Sequence, residues 1–226
     1  MARVLIVPGL HDSEPDHWQS WLQRFSRDAV RVVQHDWGAP DLQRWSARIG
    51  ATLERAEPGP WLAVAHSFGA LALARHLAHD EPDGRVAAAL LVAPADPDKF
   101  GIGELMPSRA LPVPTTLVMS TTDPWLSHAA GERWARKWRA QTINLGDAGH
   151  INVAAGFGPL AVGASLGCWR KNNCWLASSA RSAHRCSSGR LRCSRKPHIE
   201  ARIDSFARES WFPSIRRIRC SPFEES

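Results

Sequence analysis

The stretch that most constrains the fold of this chain runs from residue 60 to residue 71, with the sequence PWLAVAHSFGAL. A run of apolar residues ends at Ser67, and a helical pattern of small residues begins directly after it. This is the pattern of a strand, a sharp turn with a serine at its tip, and a helix, in which the residues beside the serine must be small. Gly69 fits the second small position of Gly-x-Ser-x-Gly, and Ala65 replaces the first glycine. An ordinary strand-to-helix turn can have the same pattern, so the surrounding chain has to decide between the two.

Strands and helices alternate along the rest of residues 4–145. Strands are predicted at Val4–Val7, which is apolar and rich in β-branched residues, and at Val30–Val33, Trp61–Ala65, Val86–Val92, Thr115–Met119 and Thr142–Leu145. The longer helices are predicted at Ala70–Leu77 and Ser127–Ala140, and an irregular stretch at Pro94–Pro114. This alternation predicts an α/β fold with a three-layer, doubly wound, mostly parallel sheet and right-handed crossovers.

Two further helices are predicted from an aspartate followed by apolar residues at helical spacing. Asp16 is predicted to cap the first of them, with a buried face made of Trp18, Trp21, Leu22 and Phe25. Asp41 is predicted to cap the second, with a buried face made of Leu42, Trp45, Ile49 and Leu53.

The composition changes abruptly near residue 160. All five cysteines lie beyond that point, and none lies before it. Residues 1–160 have a net charge of −2 and residues 161–226 a net charge of +8, so the total of +6 comes from the second part. We therefore predict one domain over residues 1–160, followed at 161–226 by an irregular, disordered tail rich in Cys, Ser and Arg.

The tail invites two other interpretations. Its cysteines and histidines contain no Cys-x-x-Cys pair and fit no common zinc spacing, so no metal site is predicted. Its basic clusters could neutralise phosphates, but they lack helical periodicity and interleaved aromatic residues, so nucleic acid is not the expected partner.

No targeting signal is recognised in residues 1–160. The apolar run after Met1 is too short for a signal peptide, and no stretch approaches the ~20 apolar residues that cross a bilayer. Since these residues contain no cysteine either, we expect a cytoplasmic protein that does not bind a membrane.

A serine hydroxyl becomes a useful nucleophile only when a base removes its proton, and that base is normally a histidine oriented by a carboxylate. On this architecture the three residues follow in the order Ser, Asp or Glu, His, each after the end of a strand. The chain supplies Ser67 after the third strand, Asp123 after the fifth and His150 after the sixth.

Each partner of the serine has rivals. Asp96 or Asp98, after the fourth strand, could supply the acid, although position favours Asp123. His150 competes with His66 beside the serine, and with His11 and His17 in the first loop; we interpret His66 as structural. Asp147 is too close in sequence to His150 to orient it.

The developing negative charge in acyl transfer needs two backbone N–H donors. Phe68, directly after the serine, is predicted to supply one, and Leu10 in the loop after the first strand the other, with Gly9 permitting the tight turn. His11 and Trp125 are candidate residues of the substrate pocket.

With these residues in view, residues 2–160 resemble the small serine hydrolases related to retinoblastoma-binding protein nine, within the α/β-hydrolase superfamily. The resemblance rests on six blocks: PGLHDS at 8–13, HWQSW at 17–21, AHSFG at 65–69, LVAPAD at 91–96, DP at 123–124 and GHIN at 149–152. It implies a compact hydrolase without a large lid, with Ser67, Asp123 and His150 as its catalytic triad. Some members of the family are known mainly as binding proteins.

The resemblance stops where the composition changes. The family would continue with Trp-Pro and an amphipathic helix, whereas here Gly158-Pro159 leads into the basic tail. Residues 1–160 use Arg 13 times and Lys twice, which suggests a GC-rich gene, and such a gene read out of frame tends to encode Arg, Ser, Cys and Trp. Our hypothesis is a frameshift near residue 160.

The sequence therefore predicts a serine hydrolase that cleaves small carboxylic esters, or amides, through an acyl-enzyme and without a cofactor. The alternative is a protein-binding module that keeps the hydrolase fold with little or no activity, in which case a protein partner is expected.

Overall fold

Six short segments pair into one sheet in which every neighbouring pair of strands is parallel. In chain order they are β1 (Arg3–Val7), β2 (Ala29–Arg31), β3 (Trp61–His66), β4 (Val86–Val92), β5 (Thr115–Met119) and β6 (Gln141–Asn144). Their spatial order is β2-β1-β3-β4-β5-β6. These bounds come from a computed structural model, which describes residues 3–79 and 84–158. The predicted parallel sheet is confirmed, and β4 and β5 have the predicted bounds.

Within the described residues, four helices connect the strands: α1 (Trp18–Phe25), α2 (Leu42–Arg55), α3 (Phe68–His79) and α4 (His128–Trp138). The same residues form three short 3-10 helices at Pro97–Phe100, Gly103–Leu105 and Val153–Ala155, the first two within the stretch predicted to be irregular. No helix in the described ranges is long and apolar enough to cross a membrane.

The sheet separates two apolar clusters, because successive side chains of a strand point to opposite faces. The larger cluster joins Leu91 and Leu117 to side chains of α2, α3 and α4. The smaller one joins Val92 and Val118 to Ile151 and to the partly buried Trp18 at the start of α1. Helices therefore cover both faces, as predicted for a doubly wound sheet.

Helix α2 follows its prediction closely. The Asp41 side chain accepts a hydrogen bond from the Arg44 backbone N–H and caps the helix, which satisfies one of its free N–H groups. The four predicted inward-facing residues, Leu42, Trp45, Ile49 and Leu53, are all buried.

Helix α1 departs from its prediction in two respects. The residue that caps it is His17, whose ring accepts from the Gln19 N–H, and not Asp16. Its buried positions are Gln19 and Ser20, whereas the predicted inward residue Phe25 is 70% exposed. The reason is tertiary: the Gln19 side-chain amide donates to the backbone carbonyls of Val7 and Val64, so this helix meets strand ends that need a donor.

The predicted tail, residues 161–226, lies outside the described residues, together with the interpretations that rest on it.

Candidate active site

Ser67 stands at the turn between β3 and α3 in a left-handed backbone conformation, with φ of +54°. This conformation is uncommon for a residue with a side chain and is maintained only when the surroundings enforce it. Its backbone N–H donates to the Val92 carbonyl at the end of β4, over 3.1 Å. The serine is therefore held at the carboxyl edge of the sheet, as the strand-turn-helix pattern predicts.

Gly69 explains how α3 comes so close to the neighbouring strand. A Cβ at this position would lie 2.1 Å from the Pro8 carbonyl oxygen and 2.7 Å from that of Val7, distances that backbone atoms cannot accommodate without moving. Ala65, at the other small position, is fully buried. The requirement for small residues around Ser67 is thus a matter of helix–strand distance.

The structure brings Ser67, His150 and Asp123 into one hydrogen-bonded chain. His150 Nε2 lies 2.9 Å from Ser67 Oγ, and His150 Nδ1 lies 2.9 and 3.0 Å from the two carboxylate oxygens of Asp123. The carboxylate can only accept, so Nδ1 carries a proton and Nε2 is left to accept from the serine hydroxyl. The side chains of Asp123 and His150 are only 3% and 10% exposed, so water competes little for these bonds.

The alternative carboxylates are engaged elsewhere. Asp96 caps the 3-10 helix at Pro97–Phe100 by accepting from the Asp98 N–H, and Asp98 itself is exposed. Asp147 accepts a hydrogen bond from the Thr122 hydroxyl. Within the described residues, Asp123 is the carboxylate that contacts His150.

Two hydroxyl residues join the loop that carries Asp123 to the loop that carries His150. Ser120 Oγ donates to the Gly146 carbonyl and accepts from the Ala148 N–H, each over 3.0 Å. Thr122 Oγ1 accepts from the Gly149 N–H, also over 3.0 Å. Three backbone groups of the histidine loop are therefore fixed relative to the acid loop.

In the described residues, none of the competing histidines forms a hydrogen bond to the Ser67 hydroxyl, which is bonded to His150. His66 turns its ring away from the serine, and its Nε2 lies 2.9 Å from the backbone oxygen of His150. His17 caps α1, and its ring centroid lies 4.9 Å from that of His66. His11 is exposed, and its ring forms no hydrogen bond to the residues described here. The bond from the His66 ring to the His150 backbone oxygen agrees with the interpretation of His66 as a structural residue and not the catalytic base.

Both inner histidines are poor bases in this environment. Burial is the main cause that lowers the pKa of His17, to about 4, and the positive charge of Arg31 adds to it. Burial also lowers the pKa of His66 well below its usual value, with His17 as the next cause. Both rings are therefore neutral near pH 7.

The loop after β1 lies directly against the serine. A Cβ on Gly9 would lie 2.7 Å from Ser67 Cβ and 3.3 Å from its Oγ, so the glycine is required by this contact. The backbone N–H groups of Leu10 and Phe68 have no hydrogen-bond acceptor in the described part of the chain. Two free amides near the serine are what a site for a developing oxyanion needs.

Arg31 braces this loop from the side. Its guanidinium bonds to Asp12 Oδ1 over 2.5 Å, to Ser20 Oγ over 2.7 Å and to Gln23 Oε1 over 2.8 Å. Asp12 Oδ1 also accepts from the Ser13 N–H. The arginine thus ties the loop after β1 to α1, while His11 and Asp12 hold left-handed conformations with φ of +65° and +64°.

Trp125 is an exposed aromatic residue close to His150. Its ring centroid lies 6.2 Å from that of His150, and the residue is 47% exposed. Lys99 Nζ lies 5.8 Å from the same tryptophan ring. The structure therefore places this predicted pocket residue beside His150, whereas His11 lies on the loop after β1.

Several residues that build the site were not found from the sequence. Gln19, Arg31, Ser120 and Thr122 act through long-range hydrogen bonds that leave no local pattern. Only Ser120 and Thr122 could have been found from the sequence, because they lie in the polar run that leads from the apolar strand to Asp123. No group of three His, Cys, Asp or Glu side chains in residues 3–79 and 84–158 is placed to hold a metal ion.

The comparisons with known proteins agree with this architecture. The serine hydrolase family model matches residues 4–167. The chain is 38% identical to a YdeN-like hydrolase from Pectobacterium atrosepticum, with a TM-score of 0.66 over 72% of this chain and 86% of that one. It is 20% identical to the ydeN gene product of B. subtilis, with a TM-score of 0.59 over 71% of this chain and 93% of that one. At this lower identity the likeness shows the fold alone. No curated protein matches the chain.

Proposed function

Because this chain belongs to the serine hydrolase family, we propose that it cleaves small carboxylic esters through an acyl-enzyme formed on Ser67. The observation that supports this most directly is the unbroken series of hydrogen bonds from Asp123 through His150 to Ser67. We also propose that the chain is closely related to the hydrolases related to retinoblastoma-binding protein nine. We further propose that it is a cytoplasmic protein.

In acylation, a proton moves from Ser67 to His150 and then to the leaving alcohol. His150 Nε2 takes the proton of Ser67 Oγ as the oxygen attacks the ester carbonyl carbon, and the carbonyl electron pair moves to oxygen. The resulting oxyanion accepts from the backbone N–H groups of Leu10 and Phe68. When the intermediate collapses, the alcohol leaves with the proton from His150, and the acyl group remains on Ser67.

Deacylation repeats these steps with water. His150 removes a proton from a water molecule, whose oxygen attacks the acyl carbon, and the same amides accept the new oxyanion. Collapse releases the carboxylic acid and returns the proton to Ser67 Oγ. Asp123 keeps the Nδ1 proton in place throughout and stabilises the imidazolium. Every step is completed by groups of this chain and water, so the proposal involves no cofactor.

The described residues around Ser67 include no large inserted element that would cover the substrate. Between β4 and β5 the chain forms only two short 3-10 helices, at Pro97–Phe100 and Gly103–Leu105. The exposed face of Trp125 beside His150 can contact an apolar acyl or alcohol group.

The experiment that tests the function is labelling with a fluorophosphonate probe, which reacts with an activated serine. We expect the full chain to be labelled and Ser67→Ala to lose the label completely. Ser108→Ala, at an exposed serine outside the site, is the matched control and should be labelled like the unmodified chain. Labelling that persists in Ser67→Ala would show that another residue is the nucleophile.

The same experiment separates the hydrolase from the alternative, a binding module on a hydrolase fold. A binding module needs no activated serine, so it would give neither labelling nor turnover of an activated ester. The geometry favours the hydrolase because a binding surface has no requirement for Ser67 Oγ and His150 Nε2 at 2.9 Å.

A second test concerns Gly9. We expect Gly9→Ala to lower kcat by about 10- to 100-fold, since its Cβ would displace either Ser67 or the Leu10 amide, and misplacement of about 1 Å costs on that order. The measurement is steady-state hydrolysis of an activated ester, with unfolding by urea to confirm that the variant is folded.

Gly38→Ala is the matched control for Gly9→Ala. A Cβ on Gly38 would meet only the Asp36 carboxylate, at an ordinary distance of 3.5 Å, so the activity should not change. An unchanged kcat in Gly9→Ala would contradict the assignment of this loop to the oxyanion site.

A further inference from the structure

Two consecutive backbone carbonyls of the histidine loop accept hydrogen bonds from aromatic rings. The His66 ring donates from Nε2 to the His150 carbonyl over 2.9 Å. The Trp18 indole donates from Nε1 to the Ile151 carbonyl, also over 2.9 Å. A carbonyl oxygen can only accept, so the His66 proton is on Nε2.

The histidine loop needs such support because one of its residues, Ile151, has an unfavourable backbone conformation. Gly149 and Ile151, on either side of His150, both have left-handed backbones, with φ of +53° and +51°. For Ile151, which is β-branched, this conformation is a rare outlier that the surrounding structure must enforce. Within the loop itself, the Ile151 N–H donates only to the Ala148 carbonyl, over 3.2 Å.

The two donors both belong to regular secondary structure. His66 is the last residue of β3, is 5% exposed and precedes Ser67 directly in the chain. Its ring centroid lies 4.9 Å from those of both His17 and His150, and 6.0 Å from that of Trp18. Trp18 begins α1, which His17 caps. The donors therefore connect the histidine loop to the strand of the nucleophile and to the first helix.

We propose that His66 and Trp18 form a backbone clamp that positions His150 between Ser67 and Asp123, so that both are positioning residues for the reaction. The catalytic part of this inference rests on the proposed hydrolase function. The low pKa of His66 supports it, since a neutral ring beside His150 does not repel the imidazolium that forms during acyl transfer. The clamp explains why a buried histidine stands beside the nucleophile without touching its hydroxyl.

The first test removes the His66 donor in two ways. His66→Leu removes the hydrogen bond, whereas the side-chain amide of His66→Gln can still donate to the His150 carbonyl. We expect His66→Leu to lower kcat for an activated ester by about 10- to 100-fold with little change in KM, since the loss is one of alignment. His66→Gln should recover most of this loss.

The second test removes the Trp18 donor. Trp18→Phe keeps an aromatic ring and loses the indole N–H, and we expect kcat to fall about tenfold at nearly constant KM. Trp138→Phe is the matched control, because the Trp138 Nε1 also donates to a backbone carbonyl, that of Pro107, over 3.0 Å. Trp138 ends α4 just before β6 begins, so it lies towards the amino edge of the sheet, whereas the site lies at the carboxyl edge. It should leave kcat unchanged.

Proton NMR tests the position of His150 without any measurement of ester hydrolysis. The His150 Nδ1 proton, held against the Asp123 carboxylate, should give a low-field proton resonance in the full chain that exchanges slowly with water. We expect this resonance to weaken or broaden in His66→Leu and Trp18→Phe, and to persist in His66→Gln and Trp138→Phe. If no ester is hydrolysed, the resonance still tests the clamp, so failure of the function and failure of the clamp are distinguishable.

Three outcomes would overturn the proposal. An unchanged resonance and kcat in both His66→Leu and Trp18→Phe would show that the loop holds its conformation without them. Equal losses in His66→Leu and His66→Gln would show that the imidazole acts through something other than its N–H donor. An equal loss in Trp138→Phe would show a general effect of removing a buried indole N–H.

Discussion

Asp123→Asn is expected to lower kcat for an activated ester by about 10⁴-fold, with a much smaller change in KM. The carboxylate accepts the His150 Nδ1 proton with both oxygens, at 2.9 and 3.0 Å. An asparagine amide can present an N–H to Nδ1, which would shift the imidazole proton to Nε2. A protonated Nε2 cannot accept from Ser67 Oγ, so the base is lost although its position is kept. Steady-state kinetics of the purified variant measure the effect.

Asp96→Asn is the matched control for Asp123→Asn. Asp96 caps a 3-10 helix at the end of the neighbouring strand, and asparagine can replace it as a cap. We expect kcat of this variant to stay within a few-fold of the original. Full activity in Asp123→Asn combined with loss in Asp96→Asn would reassign the acid to the loop after β4.

A double variant sharpens the same prediction. Ser67→Ala/Asp123→Asn should be no slower than Ser67→Ala alone, because residues that act as one unit lose their effect together. A further loss in the double variant would mean that Asp123 contributes through another route, such as its bond from the Trp125 backbone N–H.

The sequence was sufficient for the sheet and for the order of the candidate triad because both depend on local patterns. The strands β4 and β5 are mostly apolar runs bounded by turn-forming residues, and their limits follow from that contrast alone. The cap of α2 by Asp41 is also local, since donor and acceptor are three residues apart. The three candidate catalytic residues then follow from their places after strands.

What the sequence could not predict depends on contacts between distant segments. The inner face of α1 is polar because Gln19 reaches carbonyls of β1 and β3, and no periodicity within the helix indicates this. Strand β2 begins and ends earlier than predicted, at Ala29–Arg31, and Val33 is 55% exposed. Residues 30–33 were predicted as the strand, but the pairing with β1 ends at Arg31, opposite Ile6, and beyond it only the Val32 N–H donates to β1, at the Ile6 carbonyl.

The functions of His66 and Trp18 were missed for the same reason. Both residues lie in recognisable motifs, yet their acceptors are 84 and 133 positions away along the chain. Sequence order predicts which loops meet at the carboxyl edge of a parallel sheet, but not which ring meets which carbonyl there.

The folded state is also expected to lose stability between pH 6.5 and pH 4. The pKa of His17 falls to about 4 on folding, against an ordinary value of 6.5, so within this range the unfolded chain binds one more proton at this residue. The free energy of unfolding therefore decreases as the pH falls through this range. Below about pH 4, His17 is protonated in both states, so it causes no further loss of stability. At about 1.4 kcal/mol for each pKa unit, His17 contributes about 3 kcal/mol to the loss. Buried His66 shifts in the same direction and adds to it. Urea unfolding at a series of pH values measures the change.

His17→Asn isolates the contribution of this histidine to the acid sensitivity. Asparagine caps a helix well, so the first turn of α1 keeps its hydrogen bond while the titrating group is removed. We expect the unfolding free energy of this variant to depend less on pH between 6.5 and 4, by about 3 kcal/mol in total. His11→Asn is the matched control: the residue is exposed, and asparagine tolerates its left-handed backbone, so the pH dependence should stay the same. An equally steep dependence in His17→Asn would show that this buried ring is not the source of the acid sensitivity.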